Sequence, residues 1–211
     1  MPMPETSHPS HKPGISRREF LSGTGLTAAA GALLSPAQAL TQAEKSQAPV
    51  TPGFGPRPVP CELLVNGTRI TVQIEPRVTL LDCLRHYMDV TGPKRVCDRG
   101  SCGACTVLLD GKPIYACTML ALEAQGKSIE TPEQFYQDGQ LHRVPAAFAQ
   151  YDAQQCGFCT PGFVMAMKGC FDRHPHATPA EVERCLAGNI CRCGTYQQMR
   201  EALRSLCRKG G

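Results

Sequence analysis

The stretch Cys97-Asp98-Arg99-Gly100-Ser101-Cys102-Gly103-Ala104-Cys105, answered by a fourth thiol at Cys117, limits what this chain can become more than any other. Four residues separate the first two cysteines, two separate the next pair, and eleven separate Cys105 from Cys117. A C-x4-C-x2-C…C pattern of this spacing is the one that holds a plant-type [2Fe–2S] cluster. Four thiolates around two ferric ions and two sulfides carry net negative charge, so backbone N–H groups have to turn inward toward sulfur. Gly100 and Gly103 permit this, having no Cβ and tolerating positive φ. Ser101 and Ala104 are small enough to stay clear of the cluster. The competing readings are a disulfide pair or a zinc site, but zinc loops usually combine one C-x2–4-C pair with a second.

Composition narrows the class. Thirteen cysteines in 211 residues are too many for an ordinary globular chain, and an odd number cannot all be disulfide-bonded. With no Trp, 20 Gly and 18 Pro, the chain suits small domains with tight loops rather than one large apolar core. A net charge of +4, dispersed along the sequence, argues against a nucleic-acid partner. No apolar run reaches the ~18 residues of a membrane-spanning helix, so the chain is expected not to span a membrane.

Residues 1–39 read as a leader. Ser16-Arg17-Arg18-Glu19-Phe20-Leu21 is a twin-arginine signature, a weakly apolar stretch follows to Leu34, and Ala37-Gln38-Ala39 offers small residues for cleavage. The expectation is a periplasmic protein, exported folded with its clusters already in place. An oxidising compartment ordinarily predicts disulfides, but thiolates already bound to iron are not available for them. Residues 40–60 form a linker ending in Pro49, Pro52, Pro56, Pro58 and Pro60, a density that favours extended, unpaired backbone.

A first unit is expected over 61–132. Glu62–Val65 and Thr68–Ile74 flank Asn66-Gly67, the dipeptide of a type I′ hairpin, and Ile70, Val72 and Ile74 alternate with polar residues. Thr79 is placed to cap a helix carrying Leu80, Leu81, Leu84 and Met88 on one face. Cys105–Leu109 and Lys112–Cys117 make a second hairpin around Asp110-Gly111, and Ser128–Thr131 a closing strand. Strand, strand, helix, loop and hairpin is the order of a β-grasp, ferredoxin-like domain.

The second unit, 133–211, is helical. Its segments are Leu141–Tyr151, Pro161–Phe171, a helix opening at Thr178-Pro179-Ala180-Glu181, and Tyr196–Leu206, together predicting a small four-helix bundle. Its cysteines form Cys156-Gly157-Phe158-Cys159 and Cys191-Arg192-Cys193, with thirty-one residues between the pairs. Both pairs sit in turns before helices, whose free N–H groups and positive dipole ends suit an anionic cluster. By themselves these four thiols fit iron–sulfur, zinc or a disulfide. Cys83, Cys170 and Cys185 read as buried structural thiols, whereas Cys61 and Cys207 lie near the ends of the folded part and read as exposed, with no role assigned. Lys94, Arg95 and Arg99 read as solvated charges or a docking face. His86, His142, His174 and His176 read as isolated surface or cap residues.

With Cys97 to Val107, Cys117, Gln155-Cys156-Gly157-Phe158-Cys159-Thr160-Pro161-Gly162 and Gly188-Asn189-Ile190-Cys191-Arg192-Cys193 in this order, the sequence resembles the small two-[2Fe–2S] subunit of the molybdenum hydroxylases, the xanthine oxidase and aldehyde oxidoreductase family. The likeness runs from about Leu63 to Leu206. Gly194-Thr195-Tyr196 departs from the Thr-Gly-Tyr of many members. With the leader, this is similar to the branch of periplasmic aldehyde and isoquinoline-type oxidoreductases rather than to xanthine-oxidising enzymes.

The resemblance implies an α+β protein whose β-grasp domain precedes a four-helix-bundle [2Fe–2S] domain. It implies an electron-transfer subunit of an aldehyde or N-heteroaromatic dehydrogenase or oxidase complex. A separate large molybdenum-binding subunit would carry the molybdopterin, in its cytosine dinucleotide form, and hydroxylate the substrate. Cys156, Cys159, Cys191 and Cys193 would hold the cluster next to the pterin, with Gln155 and Cys193 contacting it. Cys97, Cys102, Cys105 and Cys117 would hold the distal cluster, which passes electrons to an FAD subunit, a c-type cytochrome or another acceptor. No catalytic residue or substrate pocket is expected in this chain.

Overall fold

In the computed structural model, residues 55–208 are described, and within them the chain builds a mixed sheet and five α-helices around two hydrophobic cores. The twin-arginine leader and residues 40–54 of the linker lie outside the described residues. β1 (Val59–Val65) and β2 (Thr68–Ile74) pair antiparallel around Asn66-Gly67, both residues at positive φ (49° and 79°), as a type I′ turn requires. Alternation places Cys61, Leu63 and Val65 on the buried face. Cys61, expected to be exposed, is therefore completely buried. The strand begins three residues earlier than the hairpin read from sequence, because Pro60 is accommodated within it. Pro60 pairs with Gln73 on one side, while the parallel neighbour on the other side engages only Leu64 and Val65.

α1 (Leu80–Tyr87) follows Thr79, whose side chain accepts from Asp82 N as an N-cap. Leu80, Leu81, Cys83 and Leu84 enter the core, and Met88 closes the helix as its C-cap. β3 (Thr106–Leu109) and β4 (Lys112–Tyr115) form the second hairpin around Asp110 and Gly111, again both at positive φ. β5 (Ser128–Glu130) slots between the two hairpins, giving the order β2-β1-β5-β3-β4 with only β1 and β5 parallel. That is the β-grasp arrangement. At its edge Asn66 and Thr131 pin each other, Nδ2 to Oγ1 at 2.7 Å and Thr131 N to Asn66 Oδ1 at 2.8 Å.

A third hairpin, β6 (Tyr136–Gln137) and β7 (Gln140–Leu141), turns at Asp138-Gly139 and precedes the helices. It takes Leu141 out of the helix expected to start there. α2 (Arg143–Gln150) is capped instead by His142, whose Nδ1 accepts from Val144 N at 3.3 Å. α3 (Thr160–Arg173), α4 (Pro179–Cys185) and α5 (Tyr196–Arg208) complete the bundle. α4 opens on a capping box in which Thr178 and Glu181 satisfy each other's N–H groups. Phe148, Phe163, Met167, Val182, Met199 and Leu203 fill the core between these helices.

Cys170 in α3 and Cys185 in α4 are joined as a disulfide, with Cα atoms 6.1 Å apart. Sequence reading took both as buried thiols. Their helices pack together across a short connection, which brings the two cysteines together, a relation that spacing alone does not reveal.

α3 also lies against β3 and β4. A Cβ at Gly162 would run into the carbonyl oxygen of Gly103 and lie 3.0 Å from Ala104 Cα, and one at Gly169 would sit 2.7 Å from Leu108 and Pro113. These two glycines, two turns apart on one face, let the helix seat directly on the sheet. Lys168 beside them bonds Glu130 of β5 at 2.9 Å and Asp172 at 2.6 Å.

Candidate metal centres

The first centre is built where the chain leaves α1 and returns as β3. Glu133 receives the N–H of Gly92 at 2.6 Å, and Lys94 N donates to Ala104 O at 3.0 Å, closing the base of the loop. Gly100 and Gly103 take φ of 73° and 68°. The turned backbone aims Gly100 N at Cys117 Sγ and Ser101 N at Cys97 Sγ, each at 3.3 Å. Cys117 is delivered not by β4 itself but by a single 3₁₀ turn, Ala116–Thr118, tied to Cys105 O through Ala116 N.

The four thiols gather as two pairs. Cys97 lies with Cys102, and Cys105 with Cys117. Burial opposes ionisation of Cys97, but the N–H groups of Arg99, Ser101 and Cys102 and the Cys102 thiol outweigh it and bring its pKa down to about 7. Burial, then the neighbouring Cys117 thiol, pushes Cys105 up to about 12.

The second centre lies where α3 and α5 begin. Cys159 caps α3, and Cys191-Arg192-Cys193 leads into α5. Cys193 Sγ donates to Cys156 Sγ at 3.4 Å, and Cys191 lies with Cys159, so again two pairs form. Cys191 is lowered to about 7: burial opposes this, but Thr195, through its hydroxyl 3.3 Å from the sulfur and its backbone N–H, and the Cys159 thiol prevail. Cys159 is raised to about 12 by burial and by Cys191. Cys191 is buried, while Cys156 and Cys193 are exposed, as is Gln155. Phe158, Ile190 and Tyr196 surround this open edge and expose large apolar surface.

The donor chemistry fits two irons better than one zinc. A tetrahedral zinc needs four ligands converging on one point, whereas each iron of a [2Fe–2S] cluster takes two thiolates and two bridging sulfides. Among the described residues no three His, Cys, Asp or Glu converge on a single ion. Each centre instead presents two separate sulfur pairs.

The loops of the two centres touch. Ile190 N donates to Cys102 O at 3.0 Å, and the buried Asn189 donates through Nδ2 to Gly103 O at 2.9 Å. Thr106 reaches the same carbonyl with its hydroxyl, at 2.6 Å. Tyr115 packs over Gly100 and, at its hydroxyl, against Gly188, where a Cβ would collide with it. The need for glycine at Gly103 is thus double: its φ, and the Asn189 amide that a Cβ would meet at 2.5 Å. Asn189, Gly162 and Gly188 were read only as parts of a motif. Their packing partners are distant in sequence, so no local signal identified the junction. The third hairpin was missed although Asp138-Gly139 announced it.

Of the remaining groups, Cys83 is fully buried and pushed up to about 12 by burial and by Cys61. Arg95 pairs with Asp82 and with Asp98, and Lys94 bonds Thr91 O, so the basic residues before the loop are locally engaged.

Comparison with known proteins follows this division. Residues 63–132 match the 2Fe–2S iron–sulfur cluster binding domain, and residues 131–204 match the [2Fe–2S] binding domain. The chain is 45% identical over 139 residues to the beta subunit of the 6-hydroxypseudooxynicotine dehydrogenase complex of Paenarthrobacter nicotinovorans, covering 65% of this chain and 87% of that one. It is 35% identical over 211 residues to the iron–sulfur-binding subunit of aldehyde oxidoreductase from Escherichia coli (strain K12), covering 93% and 90%. Among solved structures, quinoline 2-oxidoreductase from Pseudomonas putida 86 superposes with a TM-score of 0.67 at 34% identity, covering 73% of this chain and 98% of that chain. The aldehyde oxidoreductase of Desulfovibrio gigas superposes with a TM-score of 0.66 at 33% identity, where the match takes up 17% of the longer chain.

Proposed function

We propose, since this chain belongs to the molybdenum hydroxylase family as its small two-[2Fe–2S] subunit, that it is the electron relay of an exported aldehyde or N-heteroaromatic dehydrogenase. It is an iron–sulfur electron-transfer subunit of an oxidoreductase complex whose molybdenum site is on a partner. The observation that carries the finer reading is the asymmetry of the two centres. One opens to the surface at Cys156, Cys193 and Gln155 amid exposed Phe158, Ile190 and Tyr196, while the other touches it from behind through Ile190 and Cys102.

In this reading Cys156, Cys159, Cys191 and Cys193 ligate the cluster that faces the pterin of the large subunit, and Gln155 and Cys193 contact the pterin itself. Cys97, Cys102, Cys105 and Cys117 ligate the distal cluster, which hands electrons to an FAD subunit or a c-type cytochrome. When bound, a [2Fe–2S] cluster takes up and releases one electron at a time. The chain's own part is to fix the separation of the two centres, turn N–H groups toward sulfur, and keep water from the buried thiols, Cys105 and Cys117 in one and Cys191 in the other. The exposed apolar rim supports a large partner on the open edge. The Cys170–Cys185 disulfide supports an oxidising compartment, consistent with the twin-arginine leader. A cytosine dinucleotide form of the pterin cofactor accompanies the aldehyde-oxidising branch of this reading.

The test is purification of the native complex, followed by metal, iron and acid-labile sulfide counts and low-temperature EPR of the dithionite-reduced protein. The expected result is co-purification with a molybdenum protein, four irons per copy of this chain and two distinct S = 1/2 signals. A colourless, zinc-loaded chain purifying alone would end the reading.

A further inference from the structure

Thr160 follows Cys159 and opens α3, a helix of fourteen residues. Its hydroxyl oxygen is buried and, among the described residues, is the one buried side-chain polar atom without a hydrogen-bond partner. A threonine within a helix ordinarily satisfies its hydroxyl on a carbonyl three or four residues back. Here the carbonyl three residues back, Gly157 O, takes the Thr160 N–H at 3.3 Å and not the hydroxyl. A buried hydroxyl with nothing to bond is destabilising, and such groups are rare in folded proteins. Among the described residues the Thr160 hydroxyl is therefore left free to donate to a group bound beside it.

The chemistry beside Thr160 indicates which acceptor. Cys156 and Cys193 are exposed, whereas the partly buried Cys159 and the buried Cys191 pair on the inner side of the second centre. On the other side of that pair, Thr195 already sets its hydroxyl 3.3 Å from Cys191 Sγ. A threonine hydroxyl on sulfur is therefore an interaction this site uses, and Thr160 directly follows the opposite ligand, Cys159. The first residues of a helix also leave N–H groups free, so the surroundings of Thr160 favour negative charge.

We propose that the Thr160 hydroxyl donates a hydrogen bond to a bridging sulfide of the helical-lobe cluster and thereby raises the reduction potential of that cluster. Reduction adds one negative charge, which a hydrogen-bond donor stabilises more than it stabilises the oxidised cluster. Thr160 is a positioning and tuning residue and does not ligate iron. The inference rests on Cys156, Cys159, Cys191 and Cys193 being the ligands.

The experiment compares Thr160→Val, which keeps the shape and loses the donor, with Thr160→Ser, which keeps the donor. Both are made in the assembled complex, and each cluster is titrated separately by its EPR signal. In Thr160→Val the ratio of reduced to oxidised helical-lobe cluster at fixed applied potential is expected to fall about tenfold, a downward shift of about 59 mV for one electron. The β-grasp cluster stays in place, and Thr160→Ser stays near wild type. Deuterium exchange on the wild type should reveal one more proton coupled to the reduced helical-lobe cluster than Thr160→Val retains. If Thr160→Val does not load iron, the smaller pair Thr160→Ala and Thr160→Ser decides on the same readings. A fully loaded Val or Ala variant with an unmoved potential and an unchanged proton count overturns the proposal. A wild type with fewer than four irons overturns the ligand assignment, and the proposal with it.

Discussion

The two centres solve one problem by opposite means. In the β-grasp lobe a nine-residue loop supplies three of the four thiols, so the site is mostly local. Hydrogen bonds at its base, from Gly92 N to the Glu133 carboxylate and from Lys94 N to Ala104 O, hold it in shape. In the helical lobe the two thiol pairs come from segments thirty-one residues apart. The starts of α3 and α5 present the two pairs, and the α3–α4 excursion between them is closed by the Cys170–Cys185 disulfide, where the other centre uses a tight loop. Chain entropy explains the contrast, since a site assembled from distant segments has more closure entropy to overcome. The more dispersed site is the one with a covalent staple.

The sharpest way to break this comparison is at the ligands. Cys97→Ser should remove the β-grasp cluster, leaving two irons and a single EPR signal from the helical lobe. If both signals vanished, the contact between Cys102 and Ile190 would make the two centres one cooperative unit.

The next largest effect is expected at the staple. The disulfide closes a loop of about 15 residues, for which constraint of the unfolded chain is worth about 3 kcal/mol. The double variant Cys170→Ala/Cys185→Ala should lose about that much in urea unfolding followed by helical circular dichroism. Its helical-lobe cluster should bleach before the β-grasp cluster. Equal bleaching of both would show that the staple does not serve the dispersed site.

Gly162→Ala tests the seat between the lobes. Alanine gains about 1 kcal/mol over glycine in helix propensity. The new Cβ, however, meets the backbone of Gly103 and Ala104, which cannot swing aside, and overpacking costs about 1–3 kcal/mol. The clash should win, leaving a net loss of about 1 kcal/mol in denaturant midpoint. A stabilised variant would mean the helix is free to slide on the sheet.

The smallest effect belongs to Glu130, whose pKa is lowered: burial opposes this, but Lys168 and Gln134 hydrogen bonds prevail. A carboxylate with a depressed pKa contributes stability above its ordinary value, here 4.5, and loses it as pH falls through the lower folded value. Lys168 is raised, so its share persists below 10.5 and is lost only above that. Glu130→Gln should therefore cost less than about 1 kcal/mol at pH 7. The gap from wild type should narrow as pH falls below 4.5. A gap that widened on acidification would reverse the sign argued here.

Local rules carried much of this molecule into view. Asn66-Gly67 and Asp110-Gly111 demand positive φ at both positions and so specify their hairpins. Thr79 and Thr178 mark helix starts by the hydrogen bonds they offer, and the cysteine spacings indicate two separate thiol sets. What stayed hidden is what depends on one segment meeting another. The Cys170–Cys185 bond, the burial of Cys61 in a central strand, and the seat of Gly162 on Gly103 all follow from packing between elements. Periodicity describes the faces of an element but not the element that will cover them. The start of α2 was misplaced for a related reason: Leu141 fits an apolar helical stripe, yet pairing with Tyr136 across Asp138-Gly139 claims it first.

The bond from Ile190 N to Cys102 O has a consequence for electron tunnelling between the two centres. Starting from Cys102, the route follows the backbone to its carbonyl, crosses one hydrogen bond of 3.0 Å, and resumes through the peptide that joins Ile190 to Cys191. Every other step is covalent. Coupling along this route then depends on a single non-covalent gap rather than on the packing of whole helices. The Asn189 Nδ2 bond to Gly103 O beside it offers a second crossing of the same kind. Thermal breathing of the bundle therefore modulates transfer along these routes only as far as it stretches those bonds.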